Sequence, residues 1–192
     1  YFIIRNKKYL NMTNYTFRDF FENKIKDYKN IEPTIDDWTN HLSTLFPQVR
    51  LKQFLEIRSM DACSWDLICS QPAFWTGLLY NETSFQKAQE LVESWTQEDR
   101  NYINKVAPKE GLQAKFKDGT ILNVAQKLFE ISKQGLNSRN IMARNKTYNE
   151  TFYLKELEIN LTSAQSPADL LINKFNNEWK QDINNIYSDN IF

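Results

Sequence analysis

The sequence predicts an α+β fold, mostly helical with a few antiparallel strands. Three observations predict it. Helix-start signals recur ahead of apolar runs with helical spacing. Strand-like runs fall within residues 1–60. Only 4 Gly and 5 Pro among 192 residues leave little material for an all-β chain built on tight turns. A chain of this length suits one domain and can bury roughly 70% of its unfolded surface. The expectation is therefore a single domain over 1–192, with strands within 1–60 and a helical region over 64–192.

Tyr1-Phe-Ile-Ile-Arg5 and Tyr9-Leu-Asn-Met12 read as the arms of a hairpin turned at Asn6-Lys7-Lys8. Thr16-x-x-Asp19 and Thr34-x-x-Asp37 then announce helices carrying Phe17, Phe20, Trp38 and Leu42. Thr83-x-x-Gln86, Thr96-x-x-Asp99 and Ser166-Pro167-Ala168-Asp169 announce three more. In each, a hydroxyl is placed to answer the orphan N–H groups of a first turn. Pro72 to Tyr80, dense in large apolar groups, predicts a core helix. Thr120 to Ser132 has Ile121, Val124, Leu128 and Phe129 at helical spacing, with Gly135 as the expected C-terminal stop. Asn137 to Asn149 is polar and predicts a loop or a weak helix.

Lys+Arg and Asp+Glu both total 24, so the formal net charge is zero and the pI is about 6.8. That balance argues against nucleic-acid binding by bulk basicity. Mean hydropathy is −0.62, and no run approaches the roughly 20 apolar residues of a membrane span. Neither nucleic acid nor membrane is expected as a partner. Cys63 and Cys69 read as reduced thiols, and the chain is read as cytoplasmic. Sequons at Asn11, Asn14, Asn81, Asn145, Asn149 and Asn160 carry little weight in so Asn-rich a sequence. An opening of Tyr-Phe-Ile-Ile reads as the inside of a strand, so the chain is expected to begin partway through a longer protein.

Residues 51–59 alternate with period two and predict one half-buried strand. One face would carry Arg50, Lys52, Phe54, Glu56 and Arg58, the other Leu51, Gln53, Leu55 and Ile57. Glu56 and Arg58 would stand about 7 Å apart along that face. A carboxylate there is suited to Mg²⁺ and a guanidinium to phosphate, with Arg50 and Lys52 extending the cradle. The plain alternative is an exposed strand laced by cross-strand ion pairs. Trp65, just past the strand, is a candidate pocket-lining residue. His41 reads as a packing residue, with a role as base the alternative.

Longer blocks narrow the choice. Pro33-Thr34, Asp37-Trp38, His41-Leu-Ser-Thr-Leu-Phe-Pro-Gln-Val-Arg-Leu-Lys52, Leu55-Glu56-x-Arg58 and Pro72-Ala-Phe-Trp75-x-Gly77-Leu-Leu-Tyr80 resemble the glutamate–cysteine ligases of the plant and proteobacterial type. The resemblance runs over essentially the whole chain, which would form only the C-terminal portion of such a protein. It implies a glutamine-synthetase-like ligase fragment with an active site on a curved antiparallel sheet. The implied activity is ATP-dependent joining of the γ-carboxylate of L-glutamate to the amine of L-cysteine through an acyl phosphate. Carried over, Glu56 would ligate Mg²⁺ and Arg58 would be the catalytic residue facing the phosphate, with Arg50, Lys52 and Trp65 binding substrate or phosphate. The missing N-terminal part would supply the remaining ATP and glutamate contacts, so the fragment alone would be inactive. The sequence departs from the family's usual E-M-R-G-A-D at Ile57, Ser59 and Met60, and has Gln48 where an acid is usual. Another carboxylate–amine ligase of the same superfamily, or a helical interaction module without chemistry, are the competing readings.

Overall fold

A computed structural model describes residues 1–144 and 146–189; Asn145, one of the sequon asparagines, lies outside them. The chain divides into two compact units, Tyr1–Met60 and Asp61–Phe192.

The first unit opens with the antiparallel hairpin β1 (Phe2–Arg5) and β2 (Lys8–Asn11). Asn6 and Lys7 both take positive φ, 51° and 61°, as a two-residue turn that follows strand twist requires. Helices α1 (Phe17–Phe21) and α2 (Ile35–Ser43) follow, each opened by the capping box the sequence predicts, Thr16 with Asp19 and Thr34 with Asp37. Ile3, Met12, Phe20 and Ile25 form the core, flanked by Leu10, Phe17, Tyr28 and Ile31. Strands β3 (Val49–Leu51) and β4 (Leu55–Ile57) complete the unit.

One buried charge ties the first hairpin to α2. Asp37, 2% exposed, receives Arg5 through two bonds of 2.7 Å, and its Oδ2 also accepts the Thr34 backbone N–H. The same carboxylate thus caps a helix and holds a strand.

The second unit is mostly helical: α3 (Trp65–Leu79), α4 (Glu82–Glu93), α5 (Gln97–Glu110), α6 (Ile121–Arg139), α7 (Lys155–Ser163), α8 (Pro167–Asn177) and α9 (Asn185–Asp189). A two-residue ladder, β5 (Lys115–Phe116) with β6 (Gly119–Thr120), precedes α6. Ala73, Phe129, Leu136, Leu154 and Leu161 form its core. Among the described residues no helix is long and apolar enough to cross a membrane.

Two expectations change here. The cap of α4 lies two residues before Thr83, at Asn81, whose Oδ1 accepts the Ser84 N–H at 3.0 Å. Gly135 does not end α6, which runs on to Arg139 and closes on Asn140 in the left-handed region, φ 48°. Gly135 serves instead as a contact point. A Cβ at Gly135 would fall on the Gly77 carbonyl oxygen, and one at Gly77 on the Ser132 carbonyl oxygen. The α3–α6 crossing is therefore close enough that only hydrogen fits at both positions. Ser132 Oγ donates to the Phe74 carbonyl at 2.8 Å beside it. The sequon asparagines Asn81 and Asn149 are engaged as caps, and Asn160 is buried.

Two outcomes are expected. Gly77→Ala and Gly135→Ala should each lower unfolding free energy by about 2 kcal/mol or more through overpacking; urea unfolding that moves by less than about 0.5 kcal/mol for both contradicts the crossing. The Arg5 guanidinium holds the Asp37 carboxyl below the ordinary carboxylate range. Its stabilisation should be full above about pH 4, the unfolded carboxylate value, and fade as pH falls through the lower folded value. Asp37→Ala should cost roughly 3 kcal/mol at neutral pH and flatten that acid limb; an unchanged acid limb in pH-dependent melting contradicts the pair.

Candidate active site

The row predicted at residues 50–58 is present, but not as one strand. Strands β3 and β4 pair antiparallel, Val49 with Ile57, Arg50 with Glu56 and Leu51 with Leu55. Lys52, Gln53 and Phe54 form the loop between them, with the Lys52 N–H donating to the Phe54 carbonyl at 2.9 Å. The physical reason the alternation hides this turn is parity. Partners in this register are separated by an even number of residues, so a three-residue loop leaves the period-two pattern in phase on both arms. The Arg58 N–H donates to the Gln48 carbonyl at 2.8 Å and extends the ladder by one step.

The hairpin turns a linear row into a cross-strand cluster. Arg50 Nε donates to Glu56 Oε2 at 2.8 Å, and Arg58 Nη1 reaches the same oxygen at 3.4 Å. The Arg58 guanidinium also lies over the Phe46 ring, 5.1 Å from its centroid. All three charged side chains keep about a quarter to a third of their surface exposed. The hydrogen bond from Arg50 is the main cause holding the Glu56 carboxyl below the ordinary range, with further help from Arg50, Lys52 and Arg58 as nearby cations. Glu56 is thus ionised at neutral pH, and the row carries three cations against one carboxylate. Such a surface, with guanidinium N–H groups unpartnered among the described residues, is suited to phosphate oxygens.

Of the predicted site residues, Arg50, Glu56 and Arg58 come together on one face, and Lys52 stands beside them in the loop. Trp65 belongs to the second unit, where it opens α3 and is 71% exposed. Sequence reasoning missed Phe46 as the ring beneath Arg58. Its position before Pro47 gives no periodic signal, and only the fold reveals the contact. It also missed that Arg50 is the closest partner of Glu56, a consequence of the hidden turn.

Glu56 Oε1 has no hydrogen bond or ion pair among the described residues, so one carboxylate oxygen is open. Among the described residues no group of three or more His, Cys, Asp or Glu converges for a metal ion. Mg²⁺ asks for six oxygens in near-octahedral array, so these residues by themselves do not fit a resident Mg²⁺ site.

His41 packs within an aromatic cluster of the first unit. Its ring stacks on Phe17 at 5.0 Å and meets Tyr1 edge-on at 4.7 Å, with Nδ1 buried and unpartnered. Burial pushes its pKa down, so the ring is neutral at physiological pH. Cys63 and Cys69 are free, and burial pushes the Cys63 thiol up.

The sequence model of Glutamate-cysteine ligase family 2 (GCS2) matches residues 6–189. Glutamate--cysteine ligase A, chloroplastic, of Oryza sativa subsp. indica is 36% identical over all 192 residues, which cover 38% of its own length. The chloroplastic glutamate--cysteine ligases of Solanum lycopersicum and Arabidopsis thaliana are 36% and 34% identical over the whole chain, each with 35% of its length covered. The chain thus spans little more than a third of the relatives it matches. The cytoplasmic expectation is corrected by these names, all of which are chloroplastic. The resemblance read from the blocks between Pro33 and Tyr80 is borne out, and the chain belongs to Glutamate-cysteine ligase family 2.

Proposed function

We propose that this chain is the C-terminal part of a glutamate–cysteine ligase, an ATP-dependent enzyme forming γ-glutamylcysteine in the first step of glutathione biosynthesis. Family membership over residues 6–189 carries the reading, and the Arg50–Glu56–Arg58 cluster supplies chemistry that fits it. In the proposed course, an oxygen of the glutamate γ-carboxylate attacks the γ-phosphorus of ATP and the bond to the ADP oxygen breaks. The cysteine nitrogen then attacks the acyl carbon, the C–O bond to phosphate breaks, and the amine proton is released. Negative charge gathers on phosphate oxygens in both steps, and fixed cations stabilise it where it develops.

Arg58 is the residue assigned to those oxygens. Glu56 and Phe46 fix its plane, and its other guanidinium N–H groups have no partner among the described residues. Arg50 holds Glu56 from across the hairpin and, with Lys52, adds positive field. Glu56 is proposed as one oxygen ligand to the Mg²⁺ that accompanies ATP, with the other ligands coming from phosphate, water and residues outside this chain. The hairpin is read as part of a larger curved antiparallel sheet of the glutamine-synthetase type. Relatives almost three times as long support a remaining part that completes the ATP and glutamate contacts, so the 192 residues alone are expected to be inactive. The relatives' names point to a plastid as the compartment.

In the full-length protein, Arg58→Ala and Glu56→Gln should each lower γ-glutamylcysteine formation by about 100-fold or more, with circular dichroism unchanged. Either variant within a few-fold of the parent, measured as product from ATP, L-glutamate and L-cysteine, contradicts the assigned role.

A further inference from the structure

The β3–β4 hairpin has two unlike faces. Arg50, Glu56 and Arg58 gather on one. The other is apolar and contiguous, with Leu51 opposite Leu55 and Val49 opposite Ile57. It is also open: Leu51 is 78% exposed, Leu55 63% and Val49 50%. No residue of β3 or β4 belongs to either core cluster. A single exposed leucine needs no account, but paired apolar residues across one sheet face mark a surface meant to be covered. A two-stranded ladder with nothing against its apolar face is also marginal in water. Yet this ladder holds the register on which the charged cluster depends.

The first hairpin shows the same need. Ile3 is wholly buried in the core on its inner face. Phe2, Ile4 and Tyr9 lie on the opposite face, where Phe2 meets Tyr9 edge-on at 5.0 Å and Tyr9 remains largely exposed. Strands that are apolar on both faces belong to sheets covered on both sides. The core of the first unit covers β1 and β2 on one.

Chain length and tethering argue for the occupant. The 192 residues cover 38% of one matched relative's length and 35% of another's. On the reading of this chain as the C-terminal part of a longer ligase, the preceding part joins at Tyr1, in the same unit as the hairpin. A surface tethered so closely faces its seat at an effective concentration on the order of millimolar, which favours it over any separate molecule.

We propose that the face of Val49, Leu51 and Leu55 is the seat of the preceding part of the same polypeptide, which packs an apolar surface against it. This inference rests on the proposed ligase reading and names what holds that site's hairpin in register. Packing from behind fixes the opposite face outward and keeps Glu56 and Arg58 in place.

The test places Leu51→Cys in the full-length protein and in the 192-residue chain. Alkylation of the introduced thiol by iodoacetamide is followed peptide by peptide with mass spectrometry, and each rate is compared with that of the same chain in urea. In the full-length protein the native rate should be at least about tenfold below the unfolded one at every protein concentration, and in the 192-residue chain within a few-fold of it. A maleimide–benzophenone cross-linker on that thiol should join residues preceding Tyr1 in the same molecule. Leu55→Cys gives a second variant with the same expectation. Less than about tenfold protection in both full-length variants overturns the seat. So does protection that is lost on dilution, which puts a second copy there, or cross-linking confined to residues 1–192. Neither readout uses activity. A protected thiol in a protein that makes no γ-glutamylcysteine supports the seat and contradicts the ligase reading; a freely reactive thiol in an active ligase does the reverse.

Discussion

The bond from Arg50 Nε to Glu56 Oε2 is the constraint on which the candidate site depends. It crosses a hairpin rather than running along a strand, so the register of β3 and β4 decides whether the two groups meet at all. A slip by one residue would send Glu56 to the face of Val49, Leu51, Leu55 and Ile57 and leave Arg50 and Arg58 without their shared carboxylate. Arg58 is then fixed from two sides, by the carboxylate it shares with Arg50 and by the ring of Phe46. A guanidinium held in this way loses little further freedom when it takes up an anion, which is the condition for a preorganised phosphate contact.

The capping boxes at Thr16, Thr34, Thr96 and Ser166 are local chemistry, written within four residues, and appear where read. Asn81 and Thr83, two residues apart, are both of capping type, and it is the Asn81 side chain that meets the first turn of α4. Gly135 departs from its expected role for a different reason. A glycine near a helix end signals a stop only if nothing else needs its missing side chain, and here the Gly77 backbone does. That need lies 58 residues away in sequence and leaves no local trace.

The charged row shows the same boundary between local and non-local information. Its composition and its single face were legible, since residues 50, 52, 56 and 58 share parity whether the chain runs straight or turns. The turn itself was not, because an odd loop preserves the phase. Phe46 under Arg58 and the two-sided hold on Glu56 follow only from pairing. The family, by contrast, was legible from long blocks of residue identity, and the match over residues 6–189 agrees with them. The compartment was not, since reduced thiols and neutral net charge describe plastid and cytosol alike.

The proposed role of the Arg50–Glu56–Arg58 cluster is at the phosphoryl step rather than at recognition of the acceptor amine. The most direct measurement is positional isotope exchange in ATP labelled at the β,γ-bridging oxygen, run on the full-length protein with L-glutamate and without L-cysteine, comparing the parent with Arg58→Ala. On the proposed course, reversible acyl-phosphate formation scrambles the label in the parent, and Arg58→Ala loses that exchange with its fold intact. Exchange at the parental rate in Arg58→Ala would contradict it.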